Sequence, residues 1–221
     1  MTPLVVAGVS ALGLVAGAYV RAFAAGFGPA GHPGELREAF DTAVRTAPVP
    51  RRPYVVEAAT AVAAALVAWR VPGAGGWVTA AWLYAAVVGV TLAVIDWRTW
   101  RLPDVITLPS YPVLLALLAP SGRWFDAISA GGVLVSFYTV MWFGRPTGIG
   151  LGDVKLAGLI GLLTGALGVR TAVAAGMGGF LLGALYAVGL LVTRRGTRKT
   201  EFPFGPFMLV AALAAAALPL E

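Results

Sequence analysis

The sequence predicts an all-α polytopic integral membrane protein, a single helical bundle of about eight transmembrane helices. Hydrophobic residues make up 59% of the 221 residues and charged residues only 12%, against about 25% charged in soluble domains. Several apolar runs reach the roughly 17–25 residues that a bilayer requires. No run alternates polar and apolar residues as a barrel strand does, so helices must satisfy the backbone inside lipid.

The first apolar segment, 4–20, has no basic residue before its core and seven more segments behind it. It reads as a retained span rather than a signal peptide. Residues 26–53 form the longest soluble stretch, rich in Gly and Pro at first, then "ELREAFDTAVR", enough for two or three helical turns. The basic "APVPRRP" closes it as a stiff approach to the next span, and the stretch has too few apolar residues for a core of its own. Further apolar segments follow at 54–69, 77–95, 106–119, 127–143, 156–169, 172–193 and 204–218. Pro109 and Pro112 interrupt the fourth segment, and the sixth is short. Gly13 and Gly17, and likewise Gly179 and Gly183, have the GxxxG spacing of close helix–helix contact.

The net charge of +6 follows from topology. With the N-terminus outside, only Arg70, Arg123 and Arg170 of the 16 Lys and Arg fall in outer loops, leaving thirteen inside. This positive-inside bias puts both termini on the outer side of the cell membrane and removes the need for a nucleic-acid partner. Cysteine is absent and His32 is the lone histidine. Disulfides, thiolate-ligated metals and Cys–His catalysis are thereby excluded, and a Ser–His–Asp triad would depend on a histidine in a Pro/Gly-rich loop. For an enzyme, carboxylates remain.

Glu35, Glu38 and Asp41 lie in the soluble stretch, and Glu57 lies a few residues inside the second segment. Asp96, Asp104, Asp153 and Glu201 stand at inner boundaries. Asp96 ends "TLAVID" and Asp153 lies in "GLGD", each directly against an apolar helix. A carboxylate in a span costs roughly 2.5–3.5 kcal/mol at the centre and less near the interface. Two acids brought together can share a proton, one activating water while the other protonates a carbonyl oxygen. Taken singly, each acid also reads as a helix-terminal group. The residues therefore leave open an aspartic hydrolase and a proton-coupled transporter that uses the acids as a relay. Asp153 at a helix start and Asp96 at a helix end place a shared proton on Asp96 and the base at Asp153.

Four stretches resemble the type IV prepilin peptidases, membrane aspartic proteases of the GxGD class. "GLGDVK" is similar to their GxGDxK signature, and "IDWRTWRLPDVITLP" to the first-aspartate segment, with a Leu-Pro-Asp turn eight residues on. "RPYVVEAATAVAAALVAW" and "FPFGPFM" resemble the flanking motifs, in the same order. The resemblance implies that Asp96 and Asp153 are the catalytic pair, with Gly150, Gly152 and Lys155 completing the second motif. It implies a hydrolase that cleaves basic leaders from prepilins or pseudopilins at the cytoplasmic face, typically after a glycine, in type IV pilus assembly or protein secretion, without a cofactor. Many members carry a cytoplasmic domain with two cysteine pairs and also N-methylate the product. Here 26–53 stands in its place without cysteine, as in shorter members, so no zinc site is expected and the basis for methylation is missing.

The secondary candidates have structural explanations. Pro103 and Asp104 fit a turn or helix cap, and Glu57 fits a buried hydrogen-bonding group that organises the bundle. Glu201 fits an interfacial charge near Arg198 and Lys199. Gly148, Gly150 and Gly152 follow no strand and lack phosphate-loop spacing.

Overall fold

A computed structural model describes residues 2–46, 52–144, 149–197 and 200–218. Gly148, Arg198, Lys199 and most of the "APVPRRP" stretch lie outside the described residues. Among them run nine α-helices: α1 (Pro3–Ala24), α2 (Glu35–Arg45), α3 (Val55–Arg70), α4 (Gly76–Thr99), α5 (Asp104–Leu118), α6 (Trp124–Gly144), α7 (Leu151–Gly165), α8 (Val169–Val192) and α9 (Gly205–Ala217). Eight of them coincide with the eight apolar segments, and α2 is the helix expected from "ELREAFDTAVR".

Among the described residues, five stretches are long and apolar enough to cross a membrane: α1, α4, α6, α8 and Asp104–Ser121, which is α5 continued by a 3-10 turn. The prolines do not end α5; Pro109 and Pro112 stay inside it, as membrane helices tolerate. α3, α7 and α9 have only 16, 15 and 13 residues. At 1.5 Å per residue they reach about 20–24 Å, short of a hydrocarbon core of about 30 Å. Length alone thus identifies five of the expected eight crossings, and the other three segments form the shorter helices α3, α7 and α9. α7 is short because protein surrounds it: from Leu156 to Gly165 every residue is buried.

Glycine sets how closely the helices approach. A Cβ on Gly13 would come 2.8 Å from Ala61 Cα, and one on Gly17 would come 2.5 Å from Glu57 Cα, so α1 lies directly against α3. Gly161 faces Gly131, where a Cβ would stand 2.6 Å from the Gly131 Cα, and this seats α7 on α6. Gly179 and Gly183 accept Met208 and Phe204 of the α9 region. Both GxxxG pairs therefore do what their spacing predicts.

α2 is not a separate unit. Ala39 packs with Ala24, Phe27 and Ile95, and a Cβ on Gly26 would come 2.5 Å from Ala39 Cα. Glu35, only 4% exposed, accepts the Gly28 N–H at 2.9 Å and pairs with Arg101, whose Nε donates to the Gly28 carbonyl at 2.7 Å. Burial alone would raise the Glu35 carboxyl. The Arg101 and Gly28 hydrogen bonds, with the charges of Arg101 and His32, outweigh it and hold the group below the ordinary glutamate range. Its stabilising contribution is therefore present above the ordinary value and lost as pH falls through the lowered one. The gap in melting temperature between wild type and Glu35→Gln in detergent should be full near neutral pH and close in acid. A gap that widens on acidification would contradict this electrostatic origin.

Candidate active site

Asp96 lies one turn before the end of α4, and its carbonyl accepts the N–H of Trp100, the left-handed residue that terminates the helix. The residue is 5% exposed. Oδ2 accepts the N–H of Gly205 at 3.0 Å. Gly205 is the first residue of α9 and Pro206 follows it, so the donor is one of the N–H groups that a helix start leaves without an internal partner.

Asp153 is the third residue of α7 and 9% exposed. Its Oδ2 accepts the Gly150 N–H at 2.9 Å, while its own N–H donates to the Gly150 carbonyl at 3.0 Å. This is the acidic half of a capping box, closed on a glycine that has no side chain to reciprocate. Both aspartates therefore accept a backbone N–H at a helix start. α9 thus adds to Asp96 a positive helix end that the sequence grants only to Asp153, which narrows the contrast behind placing the shared proton on Asp96.

The structure brings the two acids to one place. The charge of Asp153 is felt at Asp96. A Cβ on Gly205 would lie 2.8 Å from Asp96 Oδ2 and 3.5 Å from Leu156 Cδ2, so α4, α7 and α9 converge there. Tyr138 of α6 is 1% exposed and lies in the field of Asp153, and its hydroxyl donates to the Gly176 carbonyl at 3.1 Å. Its ring stacks on Phe180 at 5.2 Å, and Phe180 meets Phe204 at 5.3 Å, directly before Gly205. Nothing in the residue types distinguished Tyr138 from other core aromatics. Gly205 was visible in "FPFGPFM", but its partner was not.

The supporting residues separate by role. A Cβ on Gly152 would meet Leu102 Cβ at 3.0 Å, so this glycine admits the α4–α5 turn. Gly150 has ordinary space around it, and its contribution is the N–H. Lys155 Nζ pairs with Asp104 Oδ1 at 2.6 Å, and the Lys155 carbonyl accepts the Tyr111 hydroxyl at 2.7 Å. Pro103 precedes α5 and Asp104 begins it, in the first turn as expected, and its side chain is held by the Lys155 ion pair. Glu57 is 2% exposed and accepts Arg21 Nε at 2.8 Å, joining α3 to α1. Glu201 is exposed. His32 sits 3.6 Å from Glu38.

An apolar groove of about 530 Å³ runs between α3, α4 and α9 with Ile160 and Leu163 of α7 also lining it. Trp97, Arg98 and Pro206 line it as well, and they adjoin Asp96 and Gly205 in sequence. Neither aspartate lines the groove.

A bundle of apolar helices holding two neighbouring buried aspartates, each on a backbone N–H, defines a membrane protein of the paired-aspartate type. The chain belongs to the Type IV leader peptidase family, whose model matches residues 77–218. It is 32% identical over 175 residues to a prepilin leader peptidase/N-methyltransferase of Aeromonas hydrophila, covering 75% of this chain and 58% of that protein. It is 32% identical over 169 residues to one of Pseudomonas putida, covering 71% and 55%. Likeness to one of Bacillus subtilis is 30% over 139 residues, covering 60% and 55%. The matched region thus spans little more than half the length of these relatives. No solved structure matches the chain significantly.

The Gly205 contact is testable without substrate. Gly205→Ala places a methyl against Asp96 and should cost about 1–3 kcal/mol, as overpacking does, whereas Gly150→Ala should cost less than about 0.5 kcal/mol. Melting in detergent reports both, and Asp96→Ala should reduce the loss at Gly205. Equal losses at the two glycines would place the constraint elsewhere.

Proposed function

We propose that this protein is a membrane-embedded aspartic endopeptidase that removes the basic leader of prepilins or pseudopilins at the cytoplasmic face of the cell membrane. The observation that carries this reading is the meeting of Asp96 and Asp153, each buried and each on a helix-start N–H, in a chain of the leader peptidase family. One carboxylate takes a proton from water as it attacks the peptide carbonyl, and the other gives a proton to the carbonyl oxygen. Collapse of the tetrahedral intermediate breaks the C–N bond, and the leaving amine takes up a proton. The relatives' names favour this reading, and nothing favours a proton-coupled transporter.

Asp96→Asn and Asp153→Asn should insert normally and leave a prepilin uncut when the purified proteins are incubated with it in detergent. Asp104→Asn, which breaks only a half-exposed ion pair, should be milder. The mass of the wild-type product should correspond to a free amine even with S-adenosylmethionine supplied, because 26–53 lacks the cysteine-containing domain linked to methylation. Near-normal cleavage by either Asn variant would remove the pair from the mechanism, and a product heavier by one methyl would overturn the methylation argument.

The distribution of Lys and Arg supports both termini outside, with His32 and the aspartates on the cytoplasmic side. Tags at either terminus should be reachable by a membrane-impermeant reagent on intact cells, and one beside His32 should not. The reverse pattern would separate the aspartates from cytoplasmic leaders.

A further inference from the structure

The segment between α1 and α2 is not a plain linker, because it ends in a buried charge cluster. Glu35 accepts from Gly28 N–H and pairs with Arg101, and Arg101 Nε returns to the Gly28 carbonyl. A Cβ on Gly31, which has φ +55°, would come 2.5 Å from Arg101 Nη1. The left-handed backbone and the missing side chain together leave room for the guanidinium. Arg98 adds a 3.5 Å contact from Nη1 to the Ala24 carbonyl.

Arg101 sits in the turn between α4 and α5, and the other side of that turn faces α7. Leu102, 8% exposed, fills the space beside Gly152, and Asp104 pairs with Lys155. The turn is therefore held on one side by 28–35 and touches the first turn of α7 on both sides of Asp153. It also follows Asp96 by five residues.

We propose that Glu35 and Arg101 are positioning residues for the reaction, a strut through which the short 26–34 segment and α2 set the α4–α5 turn and, through Leu102 on Gly152, the first turn of α7 that presents Asp153. The assignment rests on the proposed peptidase reading for its kinetic consequence, but its structural consequence is independent. Glu35 and Arg101 touch neither aspartate, so their loss displaces Asp153 without removing a reacting group. Displacements of about 1 Å can cost on the order of 100-fold in rate.

The test uses the purified full chain in detergent, with Glu35→Gln, Arg101→Gln, the double variant, Arg101→Lys and the exposed-site control Glu38→Gln. The probe is a synthetic peptide with a basic leader, a glycine at the cut site and an apolar stretch after it. Each Gln variant should lower kcat about 10- to 100-fold with KM little changed, and the double variant should be no worse than the poorer single, since the two act as one unit. Arg101→Lys keeps the charge but not the planar fork, and should not restore kcat. Hydrogen exchange gives a second readout: fragments covering 149–156 should exchange faster in the Gln variants, those from α8 should not, and Glu38→Gln should match wild type.

Unchanged exchange over 149–156 would overturn the strut, even with a lower melting temperature, because the pair would then stabilise without positioning. Multiplicative losses in the double variant, or a rise in KM with kcat unchanged, would overturn it as well. If the wild-type chain cuts no peptide, the peptidase reading fails while exchange still decides whether Glu35 and Arg101 order the start of α7.

Discussion

Two carboxylates buried in an apolar bundle are the constraint around which the rest of this structure is arranged. Removing an ionised group from water costs several kcal/mol, and a hydrogen bond to a charged group contributes about 1.5–3 kcal/mol. The Gly150 and Gly205 N–H groups therefore offset only part of the cost of Asp153 and Asp96. The positive ends of α7 and α9, up to about 2 kcal/mol each in partly buried geometry, reduce that cost further. A helix start at each acid therefore lowers the cost of burying whichever of the two is ionised.

Holding two helix starts beside the end of a third demands close helix approach, and glycine provides it. Gly161 on Gly131 sets α7 against α6, and Gly179 and Gly183 receive the Met208 and Phe204 side of α9. The Tyr138–Phe180–Phe204 stack then fixes the residue before Gly205 from the α6 and α8 side. In lipid, where no hydrophobic drive separates helix–helix from helix–tail contact, such packing supplies much of the association. The shortness of α7 belongs to the same design, because a helix enclosed by protein need not span the hydrocarbon.

The acids themselves were legible. Asp96 and Asp153 stand against apolar runs where a carboxylate is costly, and the helix periods and turn residues located eight apolar helices and α2. What the residues around Asp96 do not reveal is the N–H it accepts at the start of α9, since the end of α4 by itself offers only a negative helix terminus. Asp104 likewise fits a cap by position and proves to be a partner of Lys155. Apolar composition by itself does not tell a lipid-facing helix from one wrapped in protein, as α7 shows.

Helix formation depends on hydrogen bonds between residues four apart, and so the sequence by itself determined the helices, their apolar character, their glycine seams and the short list of acids. The pairings that shape the site join residues far apart in the chain. Gly205 reaches Asp96 across 109 positions and Arg101 reaches Glu35 across 66. Only the tertiary structure decided these, because which N–H or guanidinium meets a carboxylate is set by how distant helices pack, and no local spacing encodes that choice.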